Sequence, residues 1–372
     1  MVSENLRADA IAGLTAAKRS IPKLTATVGF DGFVDEILRV VDKRQSLDKY
    51  TFVPSISKLS EKIGAAAGKS ANIQLVVQLM KLGGNGPILA NALASFGLGV
   101  TYIGNLGYPN LHPVFAPFAK QAKVISIADP GHTDALEFED GKIMLGKHGT
   151  LGDVNWPNIL KRVGLPALKR QFTGSSLVGF VNWTMLPHTN DIWRQIQSRV
   201  LPKAAPKVRP FVFFDLADPE KRLPQDIRAA LELIQRFNRF YRVILGLNQK
   251  EAQQIAVVLG VPGEAESKAA MVNVATQIFS KLKIERLVVH PTAYAVSADS
   301  SGTVSVDGPF CPKPRITTGA GDHFNAGFCL GNLLGFHHEL ALLIGVMTSG
   351  FYVRTGQSPS LADLIGFIKN PK

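Results

Sequence analysis

The segment Thr317-Thr318-Gly319-Ala320-Gly321-Asp322-His323-Phe324-Asn325-Ala326-Gly327 joins a small, Gly-rich turn to one carboxylate and then to an apolar run at helical spacing. Glycine lets a backbone come close to a ligand, and the free N–H groups and positive dipole end of a following helix favour an anion. A carboxylate in that place has two readings. It caps the helix, as Asp commonly does, or it takes up a proton beside a bound phosphate. The rest of the chain decides between them.

Working outward, short β-rich runs at 26–30, 100–103, 124–127, 177–181, 211–214, 243–245, 287–290 and 293–298 read as buried parallel strands. Amphipathic segments at 192–200, 226–241, 250–259 and 267–282 lie between several of them. This is the βαβ rhythm of a doubly wound α/β sheet flanked by helices. After the Gly-rich turn the chain reads as a helical pair, 326–335 and 340–353. Two regions break the rhythm. Residues 73–80 partly alternate polar and apolar, and 135–145 place Asp140-Gly141 between two alternating arms, a strong hairpin signal. These strands are expected to form a small sheet standing off the main one as a lid, which keeps water from a phosphate in transfer.

With 372 residues and 46% hydrophobic content the chain can bury a large core. Two cysteines, Cys311 and Cys329, are too few for a disulfide framework, so a reducing cytoplasm is the expected setting. The first residues carry Glu4 and Asp9 and read as an amphipathic helix, and no apolar run reaches the length of a membrane span. The net charge of +12 is dispersed without interleaved aromatics, which favours attraction of anionic small molecules over a nucleic-acid polymer.

Other motifs weigh unequally. Gly64-Ala-Ala-Ala-Gly68-Lys69-Ser70 has three residues between its glycines where a phosphate-binding P-loop has four, and no buried strand precedes it. It is expected to be a loop feeding a lid strand. Gly83-Gly84-Asn85-Gly86 opens a helix, and Asn85 can both donate to and accept from a polyol. Asp31 and Asp35 lie in or just after the first strand, where the end of a parallel strand faces the ligand crevice, although either residue also suits a cap or turn. Asn248-Gln-Lys-Glu251 follows a strand with capping-box spacing; its other reading is a site for a hard cation such as Mg²⁺, held through water.

In chain order, the strand carboxylates, the Gly-Gly-Asn turn, the Asn-Gln-Lys-Glu segment and Thr-Thr-Gly-Ala-Gly-Asp before a helix resemble the ribokinase-like (PfkB) carbohydrate kinase family. The resemblance covers nearly the whole chain. It implies one domain over residues 1–372, with lid strands within about 36–82 and 131–150. It also implies Asp322 as general base and the amides of Gly319, Ala320 and Gly321 as an anion hole. Asn248 and Glu251 would govern Mg²⁺, with Thr318 beside them on the ATP; Asp31, Asp35, Gly83, Gly84 and Asn85 would hold the acceptor. The implied acceptor is a sugar or sugar-like alcohol. A nucleoside or vitamin kinase, or a noncatalytic sensor, are the alternatives. Exposed lid edges suggest a homodimer. The chain departs from the family at Ile316, where an Asp is common six residues before the base, and at 290–296, which carries no glycine.

Overall fold

β-branched and aromatic runs covered on both faces make buried strands, and the computed structural model, which describes residues 3–202 and 204–371, forms them where the sequence pattern places them. Met1, Val2 and Lys203, which belong to the N-terminal segment and the dispersed basic residues, lie outside the described residues. Along the chain come β1 (Thr25–Phe30), β2 (Phe33–Arg44), β3 (Tyr50–Phe52), β4 (Leu75–Gly83), β5 (Gly99–Gly104), β6 (Lys123–Ser126) and β7 (Gly131–Phe138). Then follow β8 (Gly141–Lys147), β9 (Leu177–Phe180), β10 (Phe211–Asp215), β11 (Arg242–Leu247), β12 (Arg286–Val289), β13 (Tyr294–Asp299) and β14 (Gly302–Asp307).

Nine strands form the large sheet in the order β14-β13-β12-β11-β10-β9-β1-β5-β6. From β12 to β6 every pairing is parallel, and helices cover both faces. The run at 293–298 departs from expectation: β13 returns antiparallel to β12, and β14 antiparallel to β13. Only residues 290–293 link β12 to β13, far fewer than a parallel crossover needs. On one face Phe180 packs between Phe172 and Phe214, each with ring centroids 5.5 Å away, and Trp193 meets Phe214 edge-on. Full burial of each such ring contributes about 1.5–3 kcal/mol. The other face is covered by the helices Asn85–Ser95, Ala320–Leu333 and His338–Thr355.

The chain crosses from β1 to β2 through Asp31-Gly32 and so enters the small sheet, ordered β3-β2-β7-β8 with β4 on the other side of β2. β7 and β8 are a hairpin turning at 139–140, as Asp140-Gly141 indicates. Residues 64–70 end a helix, Ile56–Gly64, and lead toward β4. That helix lays Leu59 on Leu38, Val40, Val53 and Leu136, covering the outer face of the small sheet. The strand period of two therefore turns Asp35, Ile37, Lys81, Thr133 and Glu137 to the opposite, inner face, above the crevice at the C-terminal ends of β1, β10 and β11. Cys311 and Cys329 are both free, and among the described residues no helix is long and apolar enough to cross a membrane.

Candidate active site

The helix Ala320–Leu333 is entered through Gly319 in the left-handed region (φ 95°), a conformation only glycine adopts without strain. A side chain there would also meet the Tyr352 hydroxyl at 3.1 Å. Ala320 donates its N–H to the Thr317 carbonyl at 3.1 Å, closing the turn. That bond occupies one of the three amides expected in the anion hole, Ala320, and leaves those of Gly319 and Gly321. At the helix start the amides of Gly319, Gly321 and Asp322 have no acceptor among the described residues, while that of Ala320 serves the turn.

Two side chains hold the loop from behind. Tyr352 donates its hydroxyl to the Thr318 carbonyl at 2.8 Å. His323, stacked on Tyr352 with centroids 3.6 Å apart, donates Nδ1–H to the Gly319 carbonyl at 2.7 Å and accepts from the Ser358 hydroxyl at 2.8 Å. Burial holds the His323 pKa down at about 4, so the ring stays neutral and this donor pattern is fixed at neutral pH.

Asp322 is buried, and Asn85 donates its Nδ2–H to Asp322 Oδ1 at 3.0 Å, tying the two Gly-rich turns together. Burial raises its pKa to about 8, with Asp31 and Glu251 adding repulsion and Asn85 and Lys81 opposing it. Asp35 on β2 is drawn up by burial as well, and Lys81 offsets part of that shift. Gly83 makes room for it: a Cβ at Gly83 would lie 2.3 Å from the Asp35 carboxyl carbon.

Asp31 directly follows the first strand, as the sequence suggests. It is fully buried behind the Gly-Gly-Asn turn, where Oδ1 accepts the Gly86 N–H at 2.9 Å and Oδ2 accepts Asn182 Nδ2–H at 2.8 Å. Both oxygens are engaged by the protein, so Asp31 shapes the turn. Burial lifts its pKa to about 6.

At the start of the helix Gln249–Val258 the capping box forms in both directions: Asn248 Oδ1 accepts the Glu251 N–H at 2.9 Å, and Glu251 Oε2 accepts the Asn248 N–H at 2.8 Å. Glu251 Oε1 takes the Asp218 N–H at 2.8 Å. The loop after β10 is strained, with Ala217 and Asp218 both left-handed (φ 55° and 67°). Asp215, the last residue of β10, anchors it by accepting from the Ala217 N–H and from Asn325 Nδ2–H, each at 2.9 Å. Burial and then the neighbouring Glu251 and Asp322 push the Asp215 pKa well up, and burial raises that of Glu251.

The loop 317–322 divides two cavities of similar size. One, of about 380 Å³, is lined by Thr317, Ala320 and Gly321 with Asn248, His290 and Phe310. The other, of about 400 Å³, is lined by Gly319 and Asp322 with Asp35, Asn85, Asn182 and Glu251. Asn248 borders both. Thr318, expected beside the nucleotide, lines the second cavity with Asp322, while Thr317 lines the first. Gly84 lines the second cavity, and Gly83 lies behind Asp35. Sequence reasoning missed Asp215, although its place at the end of a parallel strand is the signal that singled out Asp31. It also missed Asn182 and Tyr352, which carry no local motif, and His323, which lies in the Gly-rich segment but was given no role.

The model of the prokaryotic ketohexokinase family matches residues 8–370. The chain belongs to that family. A ketohexokinase of Haloferax volcanii is 31% identical over 344 residues, which cover 91% of this chain and 89% of that one. Phosphofructokinase-2 of Escherichia coli, solved with substrates and products, superposes with a TM-score of 0.64 at 14% identity, covering 93% of this chain and 98% of that one. Arabidopsis thaliana ribokinase, complexed with ribose and ATP, superposes with a TM-score of 0.62 at 16% identity, with coverage of 93% and 98%. The chain is a carbohydrate kinase of the ribokinase-like (PfkB) type, and the two solved structures share its fold.

Proposed function

We propose that the chain transfers the γ-phosphoryl group of ATP to a hydroxyl of a ketohexose, with Asp322 as general base. The observation that carries this reading is the loop 317–322, which stands between two cavities with a raised-pKa carboxyl on one side and three free amides at its turn. The acceptor oxygen attacks the γ-phosphorus, the bond to the β-phosphate oxygen breaks with its electron pair leaving on ADP, and the hydroxyl proton passes to Asp322. The amides of Gly319, Gly321 and Asp322 meet the charge that develops on the phosphoryl oxygens. ATP takes the cavity lined by His290 and Phe310; the ketohexose takes the cavity lined by Asp35 and Asn85. Asn182 lines that second cavity, and its buried Oδ1 has no hydrogen-bond partner among the described residues, which suits a sugar hydroxyl that reaches it. The name of the Haloferax relative supports the choice of acceptor.

Asp215, Glu251 and Asp322 are buried carboxyls whose pKa values rise chiefly through burial, and a divalent cation beside them would favour their charged forms. Asn248, Glu251 and Asp215 would hold Mg²⁺ through water, since the first oxygen lone pairs are committed to backbone amides. When bound, the ion supplies positive charge to the phosphate oxygens. The small sheet serves as a lid over a single domain, its exposed β4 edge suits pairing with a second copy, and two free cysteines suit a reducing cytoplasm.

ADP release over a panel of ketohexoses, aldohexoses and nucleosides tests the reading. Turnover is expected with a ketohexose. Preference for a nucleoside would overturn the acceptor, and binding without any turnover would overturn the catalysis.

A further inference from the structure

The inner face of the small sheet carries two lysines, Lys81 and Lys142, and neither forms an ion pair among the described residues. Lys142, at the start of β8, stands directly across the hairpin from Glu137. Its ammonium bypasses that carboxylate and reaches the Gly-rich loop, where it donates to the Thr317 hydroxyl at 3.3 Å and to the Thr318 hydroxyl. An ammonium has three N–H donors, and here two go to neutral hydroxyls. Burial pushes the Lys142 pKa down, while Glu137 and Asp35 pull it up. The side chain is exposed, and a cation whose fixed partners are both uncharged is stabilised further by an anion at its remaining donor. The next residue along the loop is Gly319, whose amide has no acceptor among the described residues.

We propose that Lys142 is a phosphoryl-binding residue: its ammonium caps the transferring phosphoryl group from the small-sheet side while the loop amides hold it from the large-sheet side. This rests on the kinase reading above. As the acceptor oxygen bonds to phosphorus and the bridging bond to ADP breaks, the proton goes to Asp322 and the electron pair to ADP. Lys142 exchanges neither; it supplies charge where the phosphoryl oxygens need it. Because the cation sits on the small sheet and the amides on the large one, the full phosphoryl site exists only when the two are in contact. ATP alone under a raised sheet lacks that cation, which disfavours transfer to water.

Steady-state ADP release and binding calorimetry on wild type, Lys142→Met and Lys142→Arg test this. The Met variant is expected to lose about 10²-fold in kcat with the ketohexose KM held within about threefold, and the Arg variant to recover most of the loss. Affinity for ADP with aluminium fluoride, a mimic of the group in flight, should fall with kcat, and sugar binding alone should not change. If Lys142 only latches the small sheet, the loss will fall on sugar affinity and the mimic will bind as before; that result overturns the proposal, as does a kcat near wild type in a variant with wild-type melting. Tripolyphosphate binding, which needs no turnover, keeps the two readings separable. Lys142-dependent binding without ketohexose turnover supports the phosphoryl site and overturns the acceptor. Binding indifferent to Lys142 overturns the phosphoryl site alone.

Discussion

The two sheets treat apolar side chains in opposite ways. In the large sheet, β9 and β10 are buried at every residue. In the small sheet, the edge strand β4 leaves Leu75, Val77, Leu79 and Met80 exposed by 40%, 52%, 53% and 44%. Burial fixes the large sheet without reference to anything else, and the residues that need exact placement, Asp215 and the Asn248–Glu251 cap, hang from the ends of its strands. The small sheet keeps an apolar surface that its own fold does not cover, which suits contacts made with substrate or with another copy. On the proposed reading, the large sheet positions the chemistry and the small sheet meets what binds and leaves.

The sharpest test of that division is Asp322→Asn. Turnover should fall by about 10³-fold or more, while ketohexose binding, which also uses Asp35 and the small sheet, survives. Measured single-turnover rates near wild type would remove Asp322 from the chemistry. Next in size is stability. Phe214→Ala, in the fully buried ring cluster of the large sheet, should cost about 3–5 kcal/mol in urea unfolding. Leu79→Ser on the small sheet should change stability by about 0.5 kcal/mol or less. Its expected effect lies in assembly: if β4 pairs with a second copy, sedimentation should show a shift toward the monomer. Equal stability losses from the two substitutions would break the comparison.

The same contrast governs what could be read from the amino-acid sequence. The strands of the large sheet announce themselves because burial on both faces demands continuous apolar runs, and the Asp140-Gly141 turn announces the β7–β8 hairpin. The direction of β13 did not follow from its composition; it followed from a linker too short to cross over. In the candidate site, Asp322, Asn85 and Asp35 stand out in the sequence because they sit in Gly-rich or strand-end motifs, and the structure places all three on one cavity. Asp31 shared that signal, yet both its oxygens are spent on Gly86 and Asn182. The free amides of the loop depended on one hydrogen bond, Ala320 N–H to Thr317, which no residue type dictates. His323 and Tyr352 escaped notice because their role comes from stacking between two helices.

The smallest expected effect joins the two sheets through one charge. Asp322 must be ionised to take a proton, and burial holds its pKa at about 8 in the free protein, so kcat/KM should rise with pH through that region. Lys81, on the small sheet, is among the groups that lower this pKa; Asp31 and Glu251 raise it. Lys81→Met should therefore move the acid limb upward by a fraction of a pH unit, slowing the enzyme at pH 7 and restoring it in alkali. Folding stability has the linked sign. The carboxyl keeps its proton in the folded state above its ordinary value of 3.8, so the stability it contributes is complete below that pH and is lost as pH climbs toward 8. Asp322→Asn has no such slope, and its melting temperature should exceed that of wild type by a margin that grows with pH. If Lys81→Met leaves the acid limb in place while Asp322→Asn shows the growing margin, the base is tuned by the large sheet alone and the small sheet has no electrostatic part in proton transfer.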